Sequence, residues 1–158
     1  MRLEERLAAV LSDRALTLAT AESCTGGGLS HLLTEIPGAS AFFIGGIIAY
    51  HNDIKLQLLD VPRETLTHHG AVSSQTAIAM AAGCRSRFKT DFAVSITGIA
   101  GPGGGSAEKP VGLIYIAVAG RQQTRVEEHQ FPGDRSQVRE GAITAALRMI
   151  LGTIADET

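Results

Sequence analysis

The chain has 158 residues, 44% hydrophobic and 19% charged, which fits one globular domain over residues 1–158 and excludes a disordered chain. Fourteen basic against sixteen acidic side chains leave a net charge of −2, so no basic field draws it to nucleic acid or anionic lipid. Two cysteines exclude a disulfide framework or zinc site, and no run approaches the roughly 18 apolar residues of a membrane span, so a cytoplasmic protein is expected.

Leu3, Leu7, Val10 and Leu11 form one face of an opening helix. The apolar run 16–21 then ends in Glu22-Ser23-Cys24-Thr25, three glycines follow, and Leu29, Leu32, Leu33 and Ile36 recur at helical spacing. That predicts strand, tight turn and helix, closed by Pro37-Gly38. The apolar run 41–50, interrupted by Gly45-Gly46, predicts a buried strand with a bulge at the glycines. Asn52 is the expected cap of a short helix through Leu59, and Pro62 begins a brief turn ending at Gly70. Ser73 opens a helix on which Ala77, Ala81, Cys84 and Phe88 share a face, which assigns Cys84 to the core.

Residues 92–96 read as a strand and 98–105 as a glycine-rich loop. The unbroken apolar run 111–119 predicts a central strand buried on both faces. Thr124, Val126 and Glu128 alternate like an exposed antiparallel neighbour. Asp134 with Gln137 gives a capping box for the last helix, whose buried stripe is Val138, Ala142, Ala145, Ala146 and Met149. Helices interleaved with strands predict an α/β fold, a three-layer α/β/α sandwich with a mixed, mainly parallel sheet.

Ligands of open α/β sheets gather beyond the carboxyl ends of strands, so loops 22–28, 50–55 and 97–105 are expected to converge on one cleft. In the first, Ser23 and Cys24 stand where unpaired N–H groups and a helix dipole can hold an oxyanion or phosphate. The plain alternative there is a helix cap followed by turning glycines. In the second, Lys55 falls in the first turn of its helix, where the dipole opposes a positive charge and favours the neutral amine that can take a serine proton. Tyr50 can relay a proton or fix that amine. The alternative is a solvated lysine and a tyrosine packed at a strand end.

The third loop offers Thr97 and glycine amides for a phosphate or carbonyl. It is not a Walker A loop, because Gly104 stands where lysine is required, and Ser106 breaks G-x-G-x-x-G. Ser106-Ala-Glu-Lys109 matches S-x-x-K by coincidence, since Pro110 disfavours the helix that motif needs. A helix N-terminus can also activate Cys24, but the sequence marks none of His31, His51, His68, His69 or His129 as its base, and no metal site is expected. Arg135 and Arg139, four apart, can clamp a phosphate together or pair with Asp134 and Glu140 on a solvated face.

Six segments carry a resemblance. They are Thr20-Ala-Glu-Ser-Cys-Thr-Gly-Gly27, Tyr50-x-Asn-x-x-Lys55, His69-Gly-Ala-Val-Ser73, Ser95-Ile-Thr-Gly-Ile-Ala-Gly-Pro-Gly-Gly104, Glu108-Lys-Pro-Val-Gly112 and Phe131-Pro-Gly-Asp-Arg135. In this order and combination the chain resembles the CinA C-terminal domain family, whose characterised activity is nicotinamide-nucleotide amidase. Ser74 stands where members often carry glutamate, and His51 where serine is frequent. The resemblance implies a stand-alone serine–lysine amidohydrolase of pyridine nucleotide salvage, converting nicotinamide mononucleotide to nicotinate mononucleotide and ammonia. Ser23 is then the nucleophile, Lys55 its base and Tyr50 an assistant. The expected substrate-binding set is Glu22, Cys24, Thr25, Gly26, Gly27, Asn52, Thr97, Gly98, Gly101, Arg135 and Arg139.

No metal or organic cofactor is expected. The expected partners are a small-molecule mononucleotide and further copies of the chain, not nucleic acid or membrane. The competing expectation is a non-catalytic nucleotide-binding or interaction module of the same fold.

Overall fold

The structure, a computed structural model, describes residues 1–157. Strands β1 (Leu18–Glu22), β2 (Phe43–Ile48), β3 (Phe92–Gly98), β4 (Leu113–Ala119) and β5 (Thr124–Gln130) form a sheet in the order β2-β1-β3-β4-β5. β1 pairs in parallel with β2 and β3, while β4 is antiparallel to both β3 and β5, so β4 alone runs against the others. Helices α1 (Leu3–Asp13), α2 (Gly28–Thr34) and α6 (Arg135–Asp156) cover one face, and α3 (Asn52–Leu59), α4 (Arg63–His69) and α5 (Ser74–Phe88) the other. This is the expected α/β/α sandwich with a mixed sheet. Among the described residues, no helix is long and apolar enough to cross a membrane.

The two faces are built from different residue sizes. Side chains alternate across a strand, so Leu18, Val94, Ile96, Ile114, Ile116 and Val118 point together toward α1, α2 and α6. The opposite face is lined by Ala19, Ala21, Ala93, Ala117 and Ala119, which meet Leu59, Ala77, Met80, Ala81 and Cys84. Small residues there let α5 lie close to the sheet. Cys84 is core, as expected, and burial pushes its thiol up to about 12. Gly83 lets α3 and α5 cross closely, because a Cβ at that position would overlap the Leu59 carbonyl oxygen.

Several local expectations hold. Ser73 caps α5 by accepting from Thr76 N–H at 3.1 Å. Asp134 and Gln137 form both arms of a capping box, at 2.8 and 2.9 Å. β4 is buried on both faces for most of its length, and β5 is the exposed edge beside it.

One element differs. The run 41–50 is not a doubly buried strand: β2 lies at the sheet edge with alternating half-buried and exposed residues, leaving Ile44 and Ile48 in the open. The irregularity falls at Ile44, since Leu18 pairs with Phe43 and Ala19 already with Gly45. The glycines serve close approach instead. A Cβ on Gly46 would overlap Thr20 Oγ1, which lies 2.7 Å from Ser30 Oγ.

Candidate active site

The alternation that builds β1 also sets its carboxyl end. Glu22 follows Leu18 and Thr20 toward α2, and Ser23 follows Ala19 and Ala21 toward α3 and α5. The Ser23 N–H extends the ladder by donating to Ile96 O at 2.9 Å, which fixes the backbone that carries the hydroxyl. Facing it, α3 presents Lys55, whose Nζ lies 3.2 Å from Ser23 Oγ. The same nitrogen donates to Ala49 O at 2.7 Å and to Tyr50 O at 3.4 Å. Lys55 is only 1% exposed, and it makes no ion pair among the described residues. Burial lowers its pKa to about 8, against a smaller upward pull from Cys24. Desolvation, not the helix dipole invoked from sequence, is the main cause.

Glu22 lies outside the cleft. Its carboxylate accepts from Thr25 Oγ1 (2.7 Å), Leu29 N–H (2.9 Å), Ser30 N–H (2.9 Å) and Ser30 Oγ (2.6 Å). α2 begins after Gly27, which has no side chain to cap it, so Glu22 fills that place from one strand residue before Ser23. Thr25 is fully buried by the same contact. Gly26 and Gly27 adopt the left-handed backbone that turns the chain from strand to helix. Glu22, Thr25, Gly26 and Gly27 therefore shape the turn instead of lining the cleft.

A cleft of about 270 Å³ opens over Ser23 and Lys55. Of the expected set it brings together Ser23, Cys24, Tyr50, Asn52, Lys55, Thr97, Gly98, Gly101 and Arg135. The three loops do converge. Sequence reasoning passed over Ala71 and Val72, which form one wall. Their only signal was the His69-Gly-Ala-Val-Ser73 match, because neither carries a polar group to notice. Thr97 donates its hydroxyl to Ala71 O at 2.8 Å and so braces that wall.

Four expected roles change. The cap of α3 is His51, whose Nδ1 accepts from Asp53 N–H at 3.1 Å, and Asn52 is the first helical residue. Tyr50 reaches Lys55 through its main-chain carbonyl, while the residue is 60% exposed and its hydroxyl takes a bond from Arg135 Nη2 at 3.1 Å. The phenol thus sits at the cleft mouth and not in a proton relay to Lys55. Arg135 and Arg139 do not act as a pair. Arg135 donates to Gly101 O at 2.7 Å and joins the glycine loop to Tyr50. Arg139 lies behind the turn, donating from Nε to Cys24 O (3.2 Å) and from Nη2 to Thr25 O (3.0 Å).

Other candidates recede. Burial raises the Cys24 thiol to about 11, which leaves it protonated at neutral pH and a poor nucleophile. Lys109 sends its amine to His69 O at 2.6 Å, away from Ser106. Among the described residues, no three His, Cys, Asp or Glu side chains cluster as a metal site would require. A larger groove of about 440 Å³ runs between β5 and α6 past Arg125, His129, Phe131 and Arg148, and it contains none of the expected site residues.

A buried amine against a serine hydroxyl, beside a turn whose Cys24 and Thr25 N–H groups reach no carbonyl or carboxylate among the described residues, is an arrangement suited to acyl transfer. The comparisons with known proteins agree with the sequence motifs. Residues 1–154 match the family described as the CinA C-terminal domain. The chain is 54% identical over 127 residues to a CinA-like protein of Parasynechococcus marenigrum, covering 80% of this chain and 30% of that one. It is 49% identical over 133 residues to a CinA-like protein of Geotalea uraniireducens, covering 84% and 32%. The chain thus spans about a third of the length of these curated relatives. Among solved structures, it superposes with TM-score 0.93 and 45% identity on a competence/damage inducible protein, CihA, from Agrobacterium tumefaciens, covering 95% of this chain and 92% of that one. A CinA superfamily protein from Escherichia coli gives TM-score 0.89 at 32% identity, covering 95% and 89%.

Proposed function

Since the chain belongs to the CinA C-terminal domain family, we propose that it is an amidohydrolase that converts nicotinamide mononucleotide to nicotinate mononucleotide and ammonia. The observation that carries this reading is the 3.2 Å approach of Lys55 Nζ to Ser23 Oγ inside a cleft lined by glycine loops.

The chemistry follows from the two groups. Neutral Lys55 accepts the Ser23 proton as Oγ forms a bond to the carboxamide carbon, and the carbonyl electron pair moves onto its oxygen. That oxyanion is held by N–H groups of the turn after Ser23. When the pair returns, the C–N bond breaks, and Lys55 passes its proton to the leaving nitrogen, which departs as ammonia. Water, deprotonated by the same amine, then cleaves the acyl-serine ester. Arg135 at the cleft mouth is the cation available to the phosphate of a mononucleotide.

Incubation with nicotinamide mononucleotide, followed by chromatography for the acid and an ammonia assay, tests the proposal. Stoichiometric acid and ammonia from the wild type, lost in Ser23→Ala and in Lys55→Ala, are the expected result. Binding without release would instead identify a nucleotide-binding module. Faster release from another amide would keep the chemistry and change the substrate.

A further inference from the structure

The turn after Ser23 has one cation close behind it, and that cation has no acidic partner. Arg139 is half-buried, and no carboxylate among the described residues lies within ion-pair distance of it. Its guanidinium donors go instead to two backbone carbonyls, Cys24 O and Thr25 O. A guanidinium normally matches a carboxylate or phosphate in such surroundings, so its use on bare carbonyls leaves a full positive charge against the turn.

The hydrogen-bond connections say where that charge is felt. The Cys24 carbonyl shares its peptide with the Thr25 N–H, so one guanidinium bond polarises that donor directly. The Thr25 carbonyl shares its peptide with the Gly26 N–H, which donates to Ser23 O at 3.0 Å. The Ser23 carbonyl in turn shares its peptide with the Cys24 N–H. Two chains therefore start at Arg139 and end at the amides of Thr25 and Cys24, and each bond strengthens the donor of the next. Neither terminal N–H reaches a carbonyl or carboxylate among the described residues. The Cys24 amide meets only its own thiol, a weak acceptor, on the cleft wall.

The α2 dipole cannot do this work. Glu22 takes the Leu29 and Ser30 amides and sets a carboxylate against the helix start, which offsets the positive end. Two cations then flank the turn, Lys55 on the cleft side and Arg139 behind it, and of the two only Arg139 bonds to the turn carbonyls of Cys24 and Thr25. Its field does reach the cleft, since it pulls the Cys24 thiol pKa downward against burial.

We propose that Arg139 is a positioning residue that strengthens the oxyanion-binding amide of Cys24 through the Thr25–Gly26–Ser23 hydrogen-bond chain. It touches neither substrate nor reacting atoms, and its effect appears as charge develops on the carbonyl oxygen. The inference rests on the amidohydrolase reading. It therefore predicts loss in kcat with little change in KM, because the ground-state amide carries no comparable charge.

The test measures steady-state kinetics on nicotinamide mononucleotide and the rate of Ser23 phosphonylation by a fluorophosphonate, read by intact mass. The second reaction also builds negative charge on an oxygen at the turn but needs no amide substrate. Wild type, Arg139→Lys, Arg139→Met and Arg139→Ala are compared at equal folded fraction, set by thermal melts. Arg139→Met is expected to lose about 10- to 100-fold in kcat and in phosphonylation rate, with KM within about twofold, somewhat less than a directly removed oxyanion donor costs. Arg139→Lys, which keeps the charge but cannot span both carbonyls, should fall between. Methylguanidinium should restore part of the rate to Arg139→Ala. Rates in Arg139→Met within threefold of wild type, or a loss confined to KM, would overturn the proposal. Wild type that is phosphonylated on Ser23 but releases no ammonia would sink the amidase reading alone, and the labelling rates would still decide the role of Arg139. A wild-type Ser23 that resists the reagent overturns both.

Discussion

Glu22 and Ser23 are neighbours in the chain and point to opposite faces of the sheet. One carboxylate accepts three bonds from α2 and a fourth from Thr25 in the turn, and the next side chain meets Lys55 of α3 at 3.2 Å. The two-residue period of a strand thus divides structural and chemical work between adjacent positions.

Lys55 sets the pH dependence of the reaction. With its pKa at about 8, the amine is about one-tenth neutral at pH 7 and half neutral at pH 8. A pH series of kcat/KM should rise nearly tenfold per unit below about pH 7 and level above about pH 9. A profile that is flat from pH 6 to 9 would remove Lys55 as the base.

The same shift fixes a stability slope. Below pH 8 the amine is protonated both folded and unfolded, and its burial penalises the fold. Between pH 8 and the ordinary 10.5, the unfolded chain binds the extra proton, so stability rises with pH until the penalty is gone. The full span is about 3 kcal/mol. Lys55→Met is expected to melt higher than wild type at pH 7 while losing turnover, a test that calorimetry at pH 7 and pH 10 can settle.

Glu22→Gln keeps the shape and removes half the acceptors. An amide nitrogen would then face two of the Leu29, Ser30 and Thr25 donors in a buried setting. A cost of about 2–4 kcal/mol in urea unfolding is expected. Activity should fall with it, because the turn that carries Ser23 loses its tie to α2.

Gly83→Ala reaches the site from a distance. The added methyl collides with the Leu59 carbonyl at the end of α3, so α3 and α5 must separate. A loss of about 1–3 kcal/mol is expected from overpacking. Because α3 carries Lys55, single-turnover rates should drop more than the folded fraction does.

Arg135→Met separates binding from chemistry. Arg135 ties Gly101 to Tyr50 at the cleft mouth and makes no hydrogen bond to Ser23 or Lys55 among the described residues. KM for a phosphorylated substrate is expected to rise at least tenfold with kcat changed less than threefold, and the rise should shrink for the dephosphorylated nucleoside.

Local signals set much of this in advance. Helical spacing and caps marked α1, α5 and α6, and the Asp134–Gln137 box was legible because capping needs only residues three apart. The Ser23, Lys55 and glycine-loop segments were also visible as sequence. Position in the sheet was not. The run 41–50 is apolar enough for a central strand, yet neighbours decide burial, and β2 has β1 on one side only.

The same limit governed the arginines. Arg135 and Arg139 share a helix face by spacing, and their separate destinations depend on which loops the tertiary fold brings beside α6. Residue order alone determined the periodicity, the caps of α5 and α6 and the chemical groups, since these act over a few bonds. Which carboxylate staples, which amine loses its water and which guanidinium backs the turn were decided only by packing, because desolvation and hydrogen-bond partners belong to the assembled layers.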